Sequence, residues 1–219
     1  MAHALPTPTS ILVCFAVPEE AAPFRPLRPA HAEILVTGMG AENARRAFES
    51  RLRATSPPPT FVLTCGFAGG LDPALPRGCV VHQADPDSPI SRRLVDAGSR
   101  PARFHLATRV AVSPQEKARL RRSTGADVVE MESGVLRELC RERALPSATV
   151  RVVSDAADDA LPLDFNTLMT PDMRLHFGRL AARLVRHPGA VPGLLRLRRH
   201  TLDAARQLAI TLSRALADL

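Results

Sequence analysis

Val129-Glu130-Met131-Glu132-Ser133 and, one helical pattern later, Arg151-Val152-Val153-Ser154-Asp155 decide how this chain folds. The apolar run Asp127 to Met131 stops at Glu132, and a helical pattern starts almost at once, Val135 to Arg143. The run Thr149 to Ser154 stops at Asp155 in the same manner. Each run therefore leaves a carboxylate where a strand ends, the place at which open α/β sheets gather ligands. Two carboxylates so placed can divide the work, one gripping hydroxyl groups and one exchanging a proton with a leaving group. Taken singly they have plainer readings: Asp155 as a helix N-cap, Glu132 as a first-turn glutamate favoured by the helix dipole.

Outward from these stretches, short β-branched or apolar runs mark further strands at Ile11 to Val17, Glu33 to Thr37, Thr60 to Cys65, Cys79 to His82 and Phe104 to Val112. Helical patterns fall between several of them. Glu42 to Ala54 starts after Gly38-Met39-Gly40 and stops before Ser56-Pro57-Pro58-Pro59. Pro114 to Arg122 has Ser113 as N-cap, Pro at the first helical position and Glu116 three residues after the cap. The alternation predicts a mixed, largely parallel sheet flanked by helices. Asp85 to Arg100 reads as short and turn-rich. Beyond Pro171 two helical stretches are expected, Met173 to Arg186 and Leu194 to Leu216, the second with the apolar stripe Leu202, Ala205, Leu208, Leu212, Leu216. Residues 1–171 are thus the expected catalytic domain, and 172–219 a C-terminal amphipathic helical extension packed on it.

Two more motifs complete the pattern: Ala16-Val17-Pro18-Glu19-Glu20 after the first strand, and Thr64-Cys65-Gly66-Phe67-Ala68-Gly69-Gly70-Leu71 after the third. In this order and spacing, the four resemble the nucleoside phosphorylase and nucleosidase superfamily over Ile11 to Asn166. Members that cleave methylthioadenosine and adenosylhomocysteine carry a Met-Glu-Glu-Glu-like turn, a Gly-Ser-Ala-Gly-Gly-Leu loop, a Val-Glu-Met-Glu turn and an Ile-Ser-Asp strand end. The resemblance implies a phosphorylase/hydrolase-like α/β fold. It implies an enzyme that releases adenine from a 5′-substituted adenosine-type nucleoside with no metal and no cofactor. Asp155 would then protonate the base, with Ser154 orienting it. Glu132 would accept the ribose hydroxyl hydrogen bonds, and Met131 would pack on the sugar face. Glu20 would activate water and its neighbour Glu19 would be solvated, unless a one-residue shift around Pro18 exchanges the two; Glu130, by the period of two along its strand, points away from the site. Gly66, Ala68 and Gly69 would let backbone amides approach the ligand, and Phe67 would line an altered pocket. Phe67 stands where the family has Ser and removes a hydroxyl that an oxyanion would need. Hydrolysis is therefore favoured over its alternative, a phosphate-dependent phosphorylase; a nucleoside-binding protein without turnover is the competing class.

Ser113-Pro114-Gln115-Glu116-Lys117, the Met-Glu-Ser turn, Ala160-Leu161-Pro162 and the tail Arg186-His187-Pro188 to Leu197 resemble, more narrowly, the hopanoid-associated purine phosphorylase-like proteins. That resemblance implies adenosylhopane as substrate, in hopanoid biosynthesis. The net charge is +7, and residues 172 to 219 hold nine Arg against three Asp, so the catalytic part is nearly neutral. Eight Phe and no Tyr or Trp leave few stacking platforms, which argues against nucleic acid. A basic amphipathic tail makes peripheral membrane contact a candidate, and a homodimer is the expected assembly. Cys14, Cys65, Cys79 and Cys140 lack metal-ligand spacing and read as core residues of a reducing compartment. With neither an 18-residue apolar span nor a signal-peptide pattern in Met1 to Ser10, the expected location is the cytoplasm.

Overall fold

A computed structural model describes residues 10–54, 58–170, 172 and 176–217. Among these residues eight strands form one mixed sheet. Its centre is β1 (Ile11–Phe15), β2 (Ala32–Val36), β3 (Phe61–Gly70) and β8 (Ser147–Asp155), in the order β2-β1-β3-β8 and all parallel. β4 (Val80–Gln83) runs antiparallel to β8, and β5 (Arg100–Pro101) extends that edge. β6 (Phe104–Leu106) pairs with β7 (Val128–Glu130), which crosses antiparallel onto the far end of β3.

The period of two along β1 assigns its side chains to two cores. Ile11, Val13 and Phe15 face one layer, with Leu63, Val150 and Val152. Leu12 and Cys14 face the other, with Val62. Helices α2 (Ala41–Ala54) and α5 (Ser133–Glu142) cover the second face through Ala44, Phe48, Leu136 and Leu139. The first face is covered by the distal half of α7 (Val191–Leu216), where Ala204, Leu208, Ala209, Leu212 and Leu216 join the core, together with α1 (Pro18–Ala21) and α3 (Pro89–Asp96). Burial on both faces is why these strands read as continuous apolar runs rather than alternating ones.

Several sequence expectations need correction. The Gly-rich segment after the third strand is no loop, because β3 continues to Gly70 by pairing with β8 as far as Gly69 opposite Asp155. A register shift between Ala68 and Gly69 accommodates the turn of the chain. Phe104 to Val112 forms a strand only as far as Leu106. Asp85 to Arg100 contains α3, whose Ile90 and Leu94 are buried. The helix expected from Met173 is described from Phe177, as α6 (Phe177–Arg186); Met173 to Leu175 lie outside the described residues. α4 (Pro114–Thr124) is as expected: the Ser113 side chain accepts from the Glu116 amide, and Gly125 closes the helix in the left-handed conformation.

Candidate active site

The two opening stretches meet Glu20 around one cavity of about 210 Å³ at the strand ends. Its walls include Val17, Glu20, Met39, Phe67, Ala68, Gly69, Arg109, Met131, Glu132, Ser154 and Asp155. Glu20, from α1, is buried. One of its oxygens accepts from the Phe67 amide at 2.8 Å, the other from the Ala16 and Val17 amides at 3.0 and 3.2 Å. Burial pushes the Glu20 carboxyl up to about 7, outweighing the Arg151 charge and the amide hydrogen bonds that pull it down. Glu19 is solvent-exposed, as expected.

Glu132 precedes α5 but makes no capping bond with its side chain. It reaches across to accept from the Gly40 amide at 3.2 Å and lies 3.7 Å from Arg151. Burial raises its carboxyl above the ordinary value, again against Arg151. The glycine turn at 38–40 thus has a job, and Met39 lines the cavity beside it. The helix terminus is capped instead by Glu130, whose carboxylate accepts from the Glu132 and Ser133 amides and the Ser133 hydroxyl.

Glu130 corrects the expectation that it points away from the site. It is buried against the cavity wall and lies 2.7 Å from Arg151. Burial opposes its ionisation, but Arg151 and the Ser133 bonds outweigh burial and hold the carboxyl below its usual range. Arg151, on β8 and itself fully buried, is the hub of the site: Glu130, Glu132 and Glu20 together raise its already high value despite the cost of burial. The sequence reading missed Arg151, although a lone arginine inside the apolar run Ala148 to Val153 is a signal in its own right.

Gly66 is also corrected, since it is not a cavity wall. It has φ +151, and a Cβ there would lie 2.6 Å from both Arg151 Nη1 and Glu20 Oε1. It is a glycine so that this pair can pass over the backbone. The Phe67 amide is taken by Glu20. Phe67, Ala68, Met131 and Ser154 do line the cavity.

Asp155 ends β8, and a turn rather than a helix follows it directly. Its Oδ1 accepts from the Ser154 hydroxyl at 2.6 Å, and its Oδ2 from Lys117 Nζ at 2.5 Å. Lys117, on α4, is the second residue missed. Arg109 reaches the cavity but pairs with Glu116. A further cavity, of about 520 Å³, reaches Ser154 and Asp155 from the side of Arg77, Asp159, Leu197 and His200.

The mixed sheet flanked by helices, with its carboxylates gathered at the strand ends, has the phosphorylase/hydrolase-like fold. Residues 95–186, which carry Glu132 and Asp155, match the phosphorylase superfamily. The matched segment is 92 of the 219 residues, so the chain resembles that superfamily there, and its fold is the one found in the solved structures that follow. Among solved structures it is similar to the futalosine hydrolase of Helicobacter pylori, with 16% identity, 97% of this chain and 99% of that one covered, and a TM-score of 0.69. It is similar also to the 5′-methylthioadenosine/S-adenosylhomocysteine nucleosidase of Neisseria meningitidis, solved with methylthio-immucillin-A (16% identity, 96% and 100% covered, TM-score 0.70). The S-adenosylhomocysteine nucleosidase of Streptococcus pyogenes is a third (12% identity, 96% and 97% covered, TM-score 0.70). Comparison with curated proteins gave no match.

Proposed function

We propose that this protein is a purine nucleosidase that hydrolyses the N-glycosidic bond of a 5′-substituted adenosine-type nucleoside and releases adenine. The observation that carries the reading is the convergence of three differently held carboxylates on one cavity. Asp155, flanked by a hydroxyl and an ammonium, is the group to deliver a proton to the purine. Glu132, anchored by the Gly40 amide, keeps acceptor capacity for the ribose hydroxyls, and Met131 packs on the sugar. Hydrogen bonds from those hydroxyls strengthen as the sugar gains oxocarbenium character, so they favour the transition state over bound substrate. Glu20 is the base for water, poised near neutrality.

The same arrangement argues for water over phosphate. Arg109, which lines the cavity, is paired with Glu116, and Arg151, behind its wall, with Glu130 and Glu132. Phe67 offers no hydroxyl. Turnover is expected to be independent of phosphate and to be stopped by Glu20→Gln, with chromatography of released base from a nucleoside panel as the measurement. Strict phosphate dependence with a ribose 1-phosphate-type product would replace this reading with the phosphorylase.

Because Glu20 accepts a proton only when ionised, its raised value sets the acid limb of the activity. Below about pH 7 the carboxyl is protonated, and kcat/KM is expected to fall about tenfold per pH unit. An acid limb near the ordinary glutamate value, about 4.3, would remove Glu20 from the role.

For the 5′ substituent, methylthioadenosine-like and adenosylhomocysteine-like groups and the hopane of adenosylhopane are the readings carried by the motifs. The lipid reading draws support from the tail. From His176 to Leu202 there are six arginines and no acidic residue. α6 is sharply amphipathic, yet Phe177 is 75% and Val185 83% exposed. An apolar stripe backed by arginines fits an anionic lipid surface. No helix among the described residues is long and apolar enough to cross a membrane, so the contact would be peripheral. We treat residues 172–219 as an extension of the 1–171 catalytic domain rather than a separate unit, supported by the burial of distal α7 in the sheet's own core.

A further inference from the structure

Lys117 is the only lysine of the chain, and the reaction proposed above does not use it. It sits in the first turn of α4 with none of its surface exposed. Its three ammonium hydrogens have three acceptors: Asp155 Oδ2 at 2.5 Å, the Ala156 carbonyl at 2.6 Å and the Asp159 carbonyl at 3.1 Å. A lysine serving surface charge keeps its head in water. This one has given up water to grip the carboxylate in the cavity wall. The other charged groups around the pair have partners of their own. Asp159 binds Arg77 and the Ala156 amide, and Glu116 binds Arg109 and the Val112 amide.

We propose that Lys117 supplies the proton that Asp155 gives to the departing base, an inference that rests on the nucleosidase reading. A nucleoside in the first cavity takes water from one side of the Lys117–Asp155 pair, which disfavours its charged form relative to the neutral one. When a nucleoside fills the cavity, one Nζ–H bond breaks and an Oδ2–H bond forms, leaving an amine and a carboxylic acid. The amine keeps two hydrogens for the two carbonyls and turns its lone pair to Asp155. The new hydroxyl swings to the purine; its O–H bond breaks, N7–H forms, and the C1′–N9 electron pair moves onto the base. Water adds to C1′ and yields its proton to Glu20. Solvent returns that proton to the lysine, by way of the second cavity that reaches Asp155. Lys117 touches Asp155 and not the substrate, so it is a positioning residue that also stores the proton.

The test compares Lys117→Met and Lys117→Arg on a purine nucleoside and on 4-nitrophenyl riboside, whose leaving group needs no proton. Both variants are expected to lose at least about a hundredfold in kcat on the nucleoside, the range of a general acid, and less than about tenfold on the aryl riboside. Arginine does not rescue, because a guanidinium keeps its protons. Equal losses on both substrates by a folded variant, or rescue by Lys117→Arg, reduce Lys117 to a counter-ion and overturn the proposal. Should the variants not fold, the wild type decides: labelled with 15N at its one lysine, it gives a single side-chain signal. That signal is expected to move from ammonium towards amine when adenine saturates the cavity, and an unchanged ammonium signal overturns the proposal. A wild type that releases base from no nucleoside overturns the nucleosidase reading, and this inference with it.

Discussion

Replacing Asp155 by Asn is expected to cut base release by about a thousandfold or more, a barrier increase of roughly 4 kcal/mol. Asparagine keeps the shape and the Ser154 contact but has no proton to give to a purine whose electron pair must be neutralised as it leaves. By shape alone such a variant should keep its fold. The structure adds a cost, because Lys117 would lose its counter-ion inside the protein. Removing one member of a buried pair typically costs about 3–5 kcal/mol, so a lower melting temperature should accompany the lost activity. The double variant Asp155→Asn/Lys117→Met removes both charges and is expected to recover much of that stability and none of the activity. Base release above about a tenth of wild type in the single variant, under roughly 1.4 kcal/mol, would end the general-acid assignment.

The parts of the site visible in the sequence were those whose chemistry is stated by position along the chain. Glu132 and Asp155 announce themselves because a strand run stops at each, and Glu20 because it follows the first strand. Gly66 was visible as a glycine, but its purpose was not: the side chains it must avoid, Arg151 and Glu20, come from other elements. Period-two reasoning placed Glu130 outside the site. What defeats it is the short β7, which ends at Glu130 itself, so that this carboxylate folds back to cap α5 and meets Arg151. Lys117 was legible only as a compositional oddity, one lysine among 29 basic residues. Its function depends on α4 docking beside the end of β8, a long-range contact that no local pattern encodes. The tail shows the same limit. A helical period predicts that α7 has an apolar face, but not which part of it finds a sheet.

That division along α7 gives the second large effect: removing residues 189–219 is expected to abolish the cooperative melt. The distal half of the helix buries Leu208, Leu212 and Leu216 along with Ala204, Ala205, Ala209 and Ala215. Three leucines at about 2–3 kcal/mol each, with the alanine methyl groups added, amount to a loss on the order of 10 kcal/mol, as large as the whole stability of a typical domain, about 5–15 kcal/mol. The loss also opens Val13, Phe15, Leu63 and Val150, which share that core, to water. A truncated protein that stayed soluble, melted cooperatively and still released base would mean that α7 is peripheral. The apolar stripe of α6 should behave in the opposite way, because its Phe177 and Val185 side chains are exposed. Phe177→Asp/Val185→Asp is expected to leave melting and hydrolysis of a soluble nucleoside close to wild type, while abolishing sedimentation with anionic phosphatidylserine vesicles at low salt, where arginine attraction is least screened. Wild type that ignores such vesicles would remove the membrane reading, and a variant that turned a dimer into a monomer would assign the stripe to a second copy of the chain.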